Sequence, residues 1–323
     1  MLKDVSIEII QRCNNHCVHC SSCSTEESTM ILSLDVITRV VDGLVALGVE
    51  RVCLSGGEPF LHPKIKEIVE TICKCGMTAD IYTSGVIGTK DSPIPLSKEM
   101  LSELKSIGLH ALLFNLQSAT EATYDLITQS NGHFPTVCES ITNSVKCGIK
   151  TEIHFVPMKI NLEDAEAVIR FAEKVGVEQV NFLKLVPHGR AKENIAKISP
   201  TDTSLQSMLN RLIELKEQGK HIRLGLPLSD HGNAPPCHAV NEKLYIKFDG
   251  SVFGCEAFKY ISFVNDGHLV EPDSIYSKRI EEIYRDSSYL KYSIALVKSF
   301  EELQVSCENC PVQKYLKRQE AVQ

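Results

Sequence analysis

Three cysteines stand in one short run near the start of the chain, Cys13-Asn-Asn-His-Cys17-Val-His-Cys20. The run directly follows an apolar stretch, Val5-Ser-Ile-Glu-Ile-Ile10. Cysteine thiolates hold iron–sulfur clusters, and a cubane 4Fe–4S cluster has four irons. Three thiolates therefore leave one iron open to a ligand that is not protein. An open position is what separates a reactive metal centre from a closed structural one. Zinc is the alternative chemistry. It favours four protein ligands and cysteine pairs with a two-residue gap, which a three-residue gap fits poorly.

A second set lies toward the other end. Cys237 and Cys255 flank Lys243-Leu-Tyr-Ile-Lys-Phe248, Asp249-Gly250 and Ser251-Val-Phe-Gly254. Asp-Gly between two alternating runs signals a hairpin. Cys307-Glu-Asn-Cys310 follows. Four cysteines in this arrangement make a site for one more metal centre. A closed zinc tetrahedron and an iron–sulfur cluster are both open on the residues alone. The remaining cysteines, Cys23, Cys53, Cys73, Cys75, Cys138 and Cys147, read as buried thiols that act as small hydrophobes. Of these, Cys23 and Cys138 are the ones expected nearest a pocket.

The elements that must position these groups are punctuated by glycine. Six amphipathic stretches end at Gly48, Gly76, Gly108, Gly148, Gly176 and Gly219, and a short β-rich run follows each. Glycine just past a helix closes its last turn in the left-handed conformation. Ser33, Ser97 and Asn161 each precede an acid-bearing first turn and read as helix caps. Runs such as Ala111-Leu-Leu-Phe-Asn-Leu116 are nearly continuously apolar, as parallel strands covered on both faces should be. About seven strands alternating with six helices imply a parallel sheet with right-handed crossovers, and are too few for a closed eight-stranded barrel. The expected fold class is α/β. A partial (β/α)6 TIM-like barrel occupies residues 1–226, and a small C-terminal module with a β-hairpin occupies 227–323. Chemistry in such barrels collects at the C-terminal ends of the strands. The cysteine run lies there after the first strand, and Gly56-Gly57-Glu58-Pro59 lies there after the second.

Composition narrows the setting. A hydrophobic content of 43% over 323 residues is that of an ordinary globular protein. A net charge of −7, with no basic run, argues against dedicated nucleic-acid binding. No stretch is long and apolar enough to span a membrane. The start, Met-Leu-Lys-Asp, enters a strand without the core of a signal peptide. Thirteen cysteines without an export signal point to reduced thiols and a cytoplasmic location.

The two loops, in this order and about one βα unit apart, resemble the signature motifs of the radical S-adenosylmethionine (SAM) enzymes. The resemblance implies that Cys13, Cys17 and Cys20 hold a 4Fe–4S cluster whose open iron binds SAM. It implies that Gly56, Gly57, Glu58 and Pro59 receive the amino group of SAM. Adjacent glycines would leave backbone polar groups unshielded there. Ser84, Ser118 and Arg190, at later strand ends, would meet the ribose, carboxylate and adenine, and His19 would pack against adenine. Cys237, Gly250 and Cys255 are similar in spacing to the SPASM and Twitch modules of some family members. Together with Cys307 and Cys310 they imply a second, auxiliary 4Fe–4S cluster. The implied activity is reductive cleavage of SAM to a 5′-deoxyadenosyl radical and abstraction of a substrate hydrogen atom, with an electron donor such as flavodoxin or ferredoxin. Oxidative modification of a ribosomally made peptide is the expected outcome. Radical dehydrogenation of a small molecule such as an aminocyclitol, sugar or nucleotide is the alternative. The chain opens at its first barrel strand, so a leader-binding domain would be a separate chain. A non-catalytic electron relay is a third reading, and the Gly56–Pro59 loop argues against it.

Overall fold

The computed structural model describes residues 1–225, 228, 237, 239–302, 310, 312 and 315. The strands are β1 (Asp4–Ile10), β2 (Arg51–Gly56), β3 (Thr78–Thr83), β4 (Val86–Thr89), β5 (Ser92–Pro95), β6 (Ala111–Asn115), β7 (Lys150–Phe155), β8 (Gln179–Phe182), β9 (Ile222–Leu224), β10 (Lys243–Ile246), β11 (Val252–Phe253), β12 (Phe263–Asn265) and β13 (His268–Val270). The helices are α1 (Leu34–Ala46), α2 (Ile65–Lys74), α3 (Lys98–Ile107), α4 (Glu121–Thr128), α5 (His133–Lys146), α6 (Ala165–Val175), α7 (Arg190–Glu193), α8 (Ile195–Ile198), α9 (Asp202–Glu217), α10 (Ile280–Asp286) and α11 (Ser288–Glu302).

Nine strands form one sheet in the order β11-β10-β1-β2-β3-β6-β7-β8-β9. Every pairing from β10 to β9 is parallel. The core lies between this sheet and its helices. Ile7, Ile9, Val52, Leu54, Ile81, Leu112, Phe114, Ile153 and Phe182 are buried from the strands, and Ile37, Val41, Ile68 and Ile72 from α1 and α2. Each such side chain contributes about 1.5–3 kcal/mol relative to exposure. Burial on both faces is why the strand runs are apolar without alternation. The punctuating glycines do what their spacing suggested. Gly108 and Gly176 sit at φ 116° and 89° and return their N–H groups to the last turns of α3 and α6. Ser33 and Ser97 accept from Val36 N and Met100 N. Asn161 departs from expectation. Its side chain is buried and braces the loop, accepting from Met158 N and donating to the carbonyls of Gln117 and Val156, so it caps no helix.

Three features exceed the alternating pattern. Strand β10 joins the sheet on the far side of β1, with Asp4 opposite Lys243 and Ile7 opposite Ile246. The expected hairpin forms as β10 and β11, with Tyr245 opposite Phe253 and Gly250 at φ 85° in the turn. An additional hairpin, β4–β5, is inserted after β3. A cavity of about 360 Å³ touches β9 and β10 together, although they stand near opposite ends of the strand order. The sheet is therefore curled into a partial barrel around that space. The first residues of six strands, Asp4, Arg51, Ala111, Lys150, Gln179 and Lys243, line it. It opens at the N-terminal ends of the strands, opposite the two motif loops.

Candidate active site

The cysteine run leaves β1 and folds over the strand ends as an irregular loop. An irregular segment keeps one geometry only if its backbone groups are paired. Here Cys13 N donates to Thr25 O at 3.0 Å, and His16 N and Val18 N donate to the last carbonyls of α4 at 2.9 Å. Asn14 Nδ2 donates to Val86 O, so the inserted hairpin supports the loop from the side. Arg190 grips it from the α7 side. Its backbone N donates to Cys20 O at 3.0 Å and its Nε to Cys17 O at 2.9 Å. Cys13 and Cys17 are buried and Cys20 is half-buried. Burial, then the neighbouring Cys17, Glu58 and Cys20, push the Cys13 thiol up. Burial and Cys20 push Cys17 up to about 12. The three thiols thus neighbour one another, and at the buried Cys13 and Cys17 negative charge is unfavourable without a cation. That donor set fits a cluster, whose ligation requires thiolates and releases their protons. Among the described residues no three His, Cys, Asp or Glu side chains are gathered around a single ion. A cubane asks for a different spacing, because each thiolate binds its own iron.

The second motif loop is fastened to the base of the first. Gly57 N donates to Ile10 O at 2.7 Å and Glu58 N to Arg12 O at 2.8 Å. A Cβ added at Gly56 would lie 2.1 Å from Ile10 O, and one at Gly57 would lie 2.0 Å from Arg12 O. The sequence suggested that these glycines bare the backbone to a ligand. In the structure the side where Cβ would sit is filled by the chain entering the cysteine loop. The glycines are needed for that contact. Glu58 is fully buried and saturated. Its Oε1 accepts from Thr83 Oγ1 at 2.7 Å and Phe60 N at 3.1 Å, and its Oε2 from Ser84 N at 2.7 Å and Ser84 Oγ at 2.5 Å. A carboxylate offers about four lone-pair sites. The oxygens expected to receive an ammonium group are therefore occupied, and Glu58 ties the loop to the end of β3. Burial still pushes its carboxyl up, against the four donors. Pro59 opens a single 3-10 turn, Pro59–Leu61, which Glu58 caps.

The other strand-end residues divide. Ser84 is committed to Glu58. Ser118, fully buried, donates to Asp164 Oδ2 at 2.7 Å and accepts from Thr120 N. Both are satisfied strand-end groups in this structure. His19 is different. Its Nδ1 is buried without a partner, and burial followed by Arg190 holds its imidazole down to about 4. It is a neutral ring with a vacant hydrogen-bonding position beside the cysteine loop. His154 on β7 is alike: Nε2 is unpartnered, burial and Arg223 hold the ring down to about 4, and it packs on Tyr82 at 5.0 Å.

Toward the other end of the barrel the cavity is lined by Cys53, Tyr82, Glu152, Arg223, Cys255 and Glu256, among others. Cys53 therefore faces the barrel interior, and it was not among the thiols expected near a pocket. Cys138 packs against the core instead, with burial pushing its thiol up to about 11. Burial, then Glu256, Cys310 and Cys237, push the Cys255 thiol up, so these three cysteines share one neighbourhood. Cys307 lies outside the described residues. Sequence reasoning missed Tyr82, Arg223 and Glu256. Tyr82 and Arg223 occupy alternate strand positions that only the curl of the sheet turns inward.

A partial parallel barrel that gathers three neighbouring thiols at the C-terminal ends of its strands is the frame of a cofactor-dependent enzyme. The sequence profile of the radical SAM superfamily matches residues 7–172, just over half of the chain. The chain belongs to the radical SAM superfamily. The AdoMet-dependent heme synthase of Methanosarcina barkeri is 26% identical to it over 217 residues, 67% of this chain and 59% of that protein. The PqqA peptide cyclase of Ruegeria pomeroyi is 24% identical over 266 residues, 75% of this chain and 69% of that protein. Streptococcus suis SuiB, in structures bound to S-adenosylmethionine and to precursor peptide SuiA, superimposes with TM-scores of 0.73 and 0.72 at 13% identity. These superpositions cover 92% and 90% of this chain and 68% and 66% of SuiB. At that identity the likeness is one of fold. It covers too much of the chain to be confined to residues 1–226. No helix among the described residues is long and apolar enough to cross a membrane.

Proposed function

We propose that the chain is a radical SAM enzyme that oxidatively modifies a ribosomally made peptide, in the cytoplasm, with a reduced flavodoxin or ferredoxin as electron donor. Cys13, Cys17 and Cys20 would hold the SAM-binding 4Fe–4S cluster. Cys237, Cys255, Cys307 and Cys310 would hold an auxiliary 4Fe–4S cluster in a module running from about residue 227. When bound, the first cluster and SAM supply reductive cleavage of a carbon–sulfur bond and removal of a hydrogen atom from an unactivated C–H bond, and the second supplies an electron acceptor.

The protein's own groups supply the rest. Arg190 and the chain around Gly56 and Gly57 fix the cysteine loop. His19 offers a neutral ring and an open nitrogen to the adenine of SAM, and the remaining N–H groups of Arg190 suit a carboxylate. The observation that carries the reading is that Cys255 and Glu256 line the cavity inside the barrel. An auxiliary site held in the same barrel as the Cys13–Cys20 loop favours net oxidation of the substrate. Relatives named for a peptide cyclase and a fold shared with a protein seen with its precursor peptide favour a peptide. The relative named as a heme synthase supports a small-molecule dehydrogenase as the second reading.

The test is anaerobic incubation of reconstituted protein, SAM and reductant with a short peptide encoded beside its gene. A peptide lighter by two hydrogen atoms, formed with 5′-deoxyadenosine, is expected. An unchanged peptide, with oxidation of a small metabolite instead, would replace the first reading by the second.

A further inference from the structure

Glu8 is a carboxylate in the middle of β1, between Ile7 and Ile9, and it is 1% exposed. Its counter-ion comes from 251 residues away. Lys259 Nζ donates to Glu8 Oε1 at 2.9 Å, to Ser22 Oγ at 2.7 Å and to Ser21 Oγ at 3.3 Å. These three acceptors use all three ammonium protons. Ser22 Oγ also donates to Glu8 Oε1, and the Tyr245 ring lies 5.0 Å from the ammonium. Both charged side chains are 1% exposed. A surface pair would contribute little, but a pair removed from water leaves an uncompensated charge when one partner is lost.

The location gives the pair its meaning. Ser21 and Ser22 follow Cys20 directly. Lys259 stands four residues after Cys255, at the end of the 3-10 turn Glu256–Phe258. The same turn reaches the cysteine loop by a second route. Ala257 O is bonded to His188 Nε2 at 2.8 Å, and two residues further Arg190 holds the carbonyls of Cys17 and Cys20. We propose that the turn after Cys255 is the positioning element for the Cys13–Cys20 loop, with Lys259 as its main contact, so that seating the C-terminal module sets the geometry of the N-terminal cysteine site. Lys259 touches no reacting atom in this account. It acts through Ser21 and Ser22. The inference rests on the reading that this loop holds the SAM-binding cluster, and its first readout does not depend on that reading.

The test uses the full-length, anaerobically reconstituted protein and two variants, Lys259→Met and the pair Glu8→Gln with Lys259→Met. The second variant removes both charges, so it folds even where the first is unstable. In both, hydrogen exchange of the amides of residues 20–24 should quicken at least tenfold, because Ser21 and Ser22 lose their donor. A chelator should strip iron from the N-terminal site at least tenfold faster. The electron paramagnetic resonance signal of that cluster should lose its response to SAM, and the signal of the auxiliary cluster should persist. Either folded variant showing wild-type exchange at 20–24 and wild-type iron loss would overturn the proposal. So would loosening confined to residues 256–260. Failure of the wild-type protein to cleave SAM would refute the enzymatic reading instead, and would leave the exchange result to judge the role of the turn after Cys255.

Discussion

Replacing Gly57 with Ala adds one methyl group where Arg12 O would be 2.0 Å away and Gln11 O 2.5 Å. Real contacts of this kind do not close below about 3 Å, and the obstacle is backbone, so the chain must move. Overpacking of this kind costs about 1–3 kcal/mol. The shift also strains two hydrogen bonds, Gly57 N to Ile10 O and Glu58 N to Arg12 O, each worth about 1 kcal/mol. The sum is on the order of 3–5 kcal/mol, a large share of the 5–15 kcal/mol typical of a domain. Gly76→Ala is the control. Gly76 has φ 77° and nothing within 4 Å of an added Cβ, so only the left-handed conformation is penalised, by about 1–2 kcal/mol. Urea unfolding of the two variants, with iron retention after anaerobic reconstitution, separates the effects. Gly57→Ala should be about 1–4 kcal/mol less stable than Gly76→Ala and should lose iron from the N-terminal site selectively. Equal stability of the two, with full iron in both, would refute the claim that the glycines exist for contact between the motif loops.

Glu58→Gln places an amide NH2 against N–H or O–H donors of Ser84, Thr83 and Phe60, and should cost on the order of 2–4 kcal/mol in urea unfolding. His154 titrates at about 4 in the folded chain against an ordinary 6.5, so the unfolded chain takes up its proton first and stability should fall as pH drops from about 6.5 through about 4. For a ring 8% exposed the contribution is about 3 kcal/mol, and the part of the acid slope that disappears in His154→Phe measures it. Replacing Cys237 and Cys255 with Ala should lower iron from about eight to about four atoms per chain, while zinc in the wild-type protein beside about four irons would make the C-terminal site structural.

The site was more legible than its surroundings. Loop chemistry is local. Cys13, Cys17 and Cys20 are spaced by a few residues, and the strand before them fixes which end of the sheet they occupy. Gly108 and Gly176 announce helix ends because few residues tolerate those φ values. What stayed hidden depends on contacts between distant segments. Nothing in Lys243-Leu-Tyr-Ile246 says that it pairs in parallel with β1 rather than forming a separate hairpin. Asn161 has the composition of a cap, yet packing turned its amide onto three loop groups. The family resemblance placed Ser84 and Ser118 at SAM, and in the structure their hydroxyls donate to the neighbouring carboxylates of Glu58 and Asp164. Glu8 is a charge inside an apolar strand. A buried acid must be paired, but its partner lies far along the chain.

The most direct test of the account is SAM turnover by the anaerobically reconstituted protein under a strong reductant. Wild-type protein should release methionine and 5′-deoxyadenosine in equal amounts, and the variant with Cys13, Cys17 and Cys20 all changed to Ala should release neither. Release of both products by that variant, or none from a wild-type protein loaded with about eight irons, would contradict the assignment of these three cysteines as the seat of the chemistry.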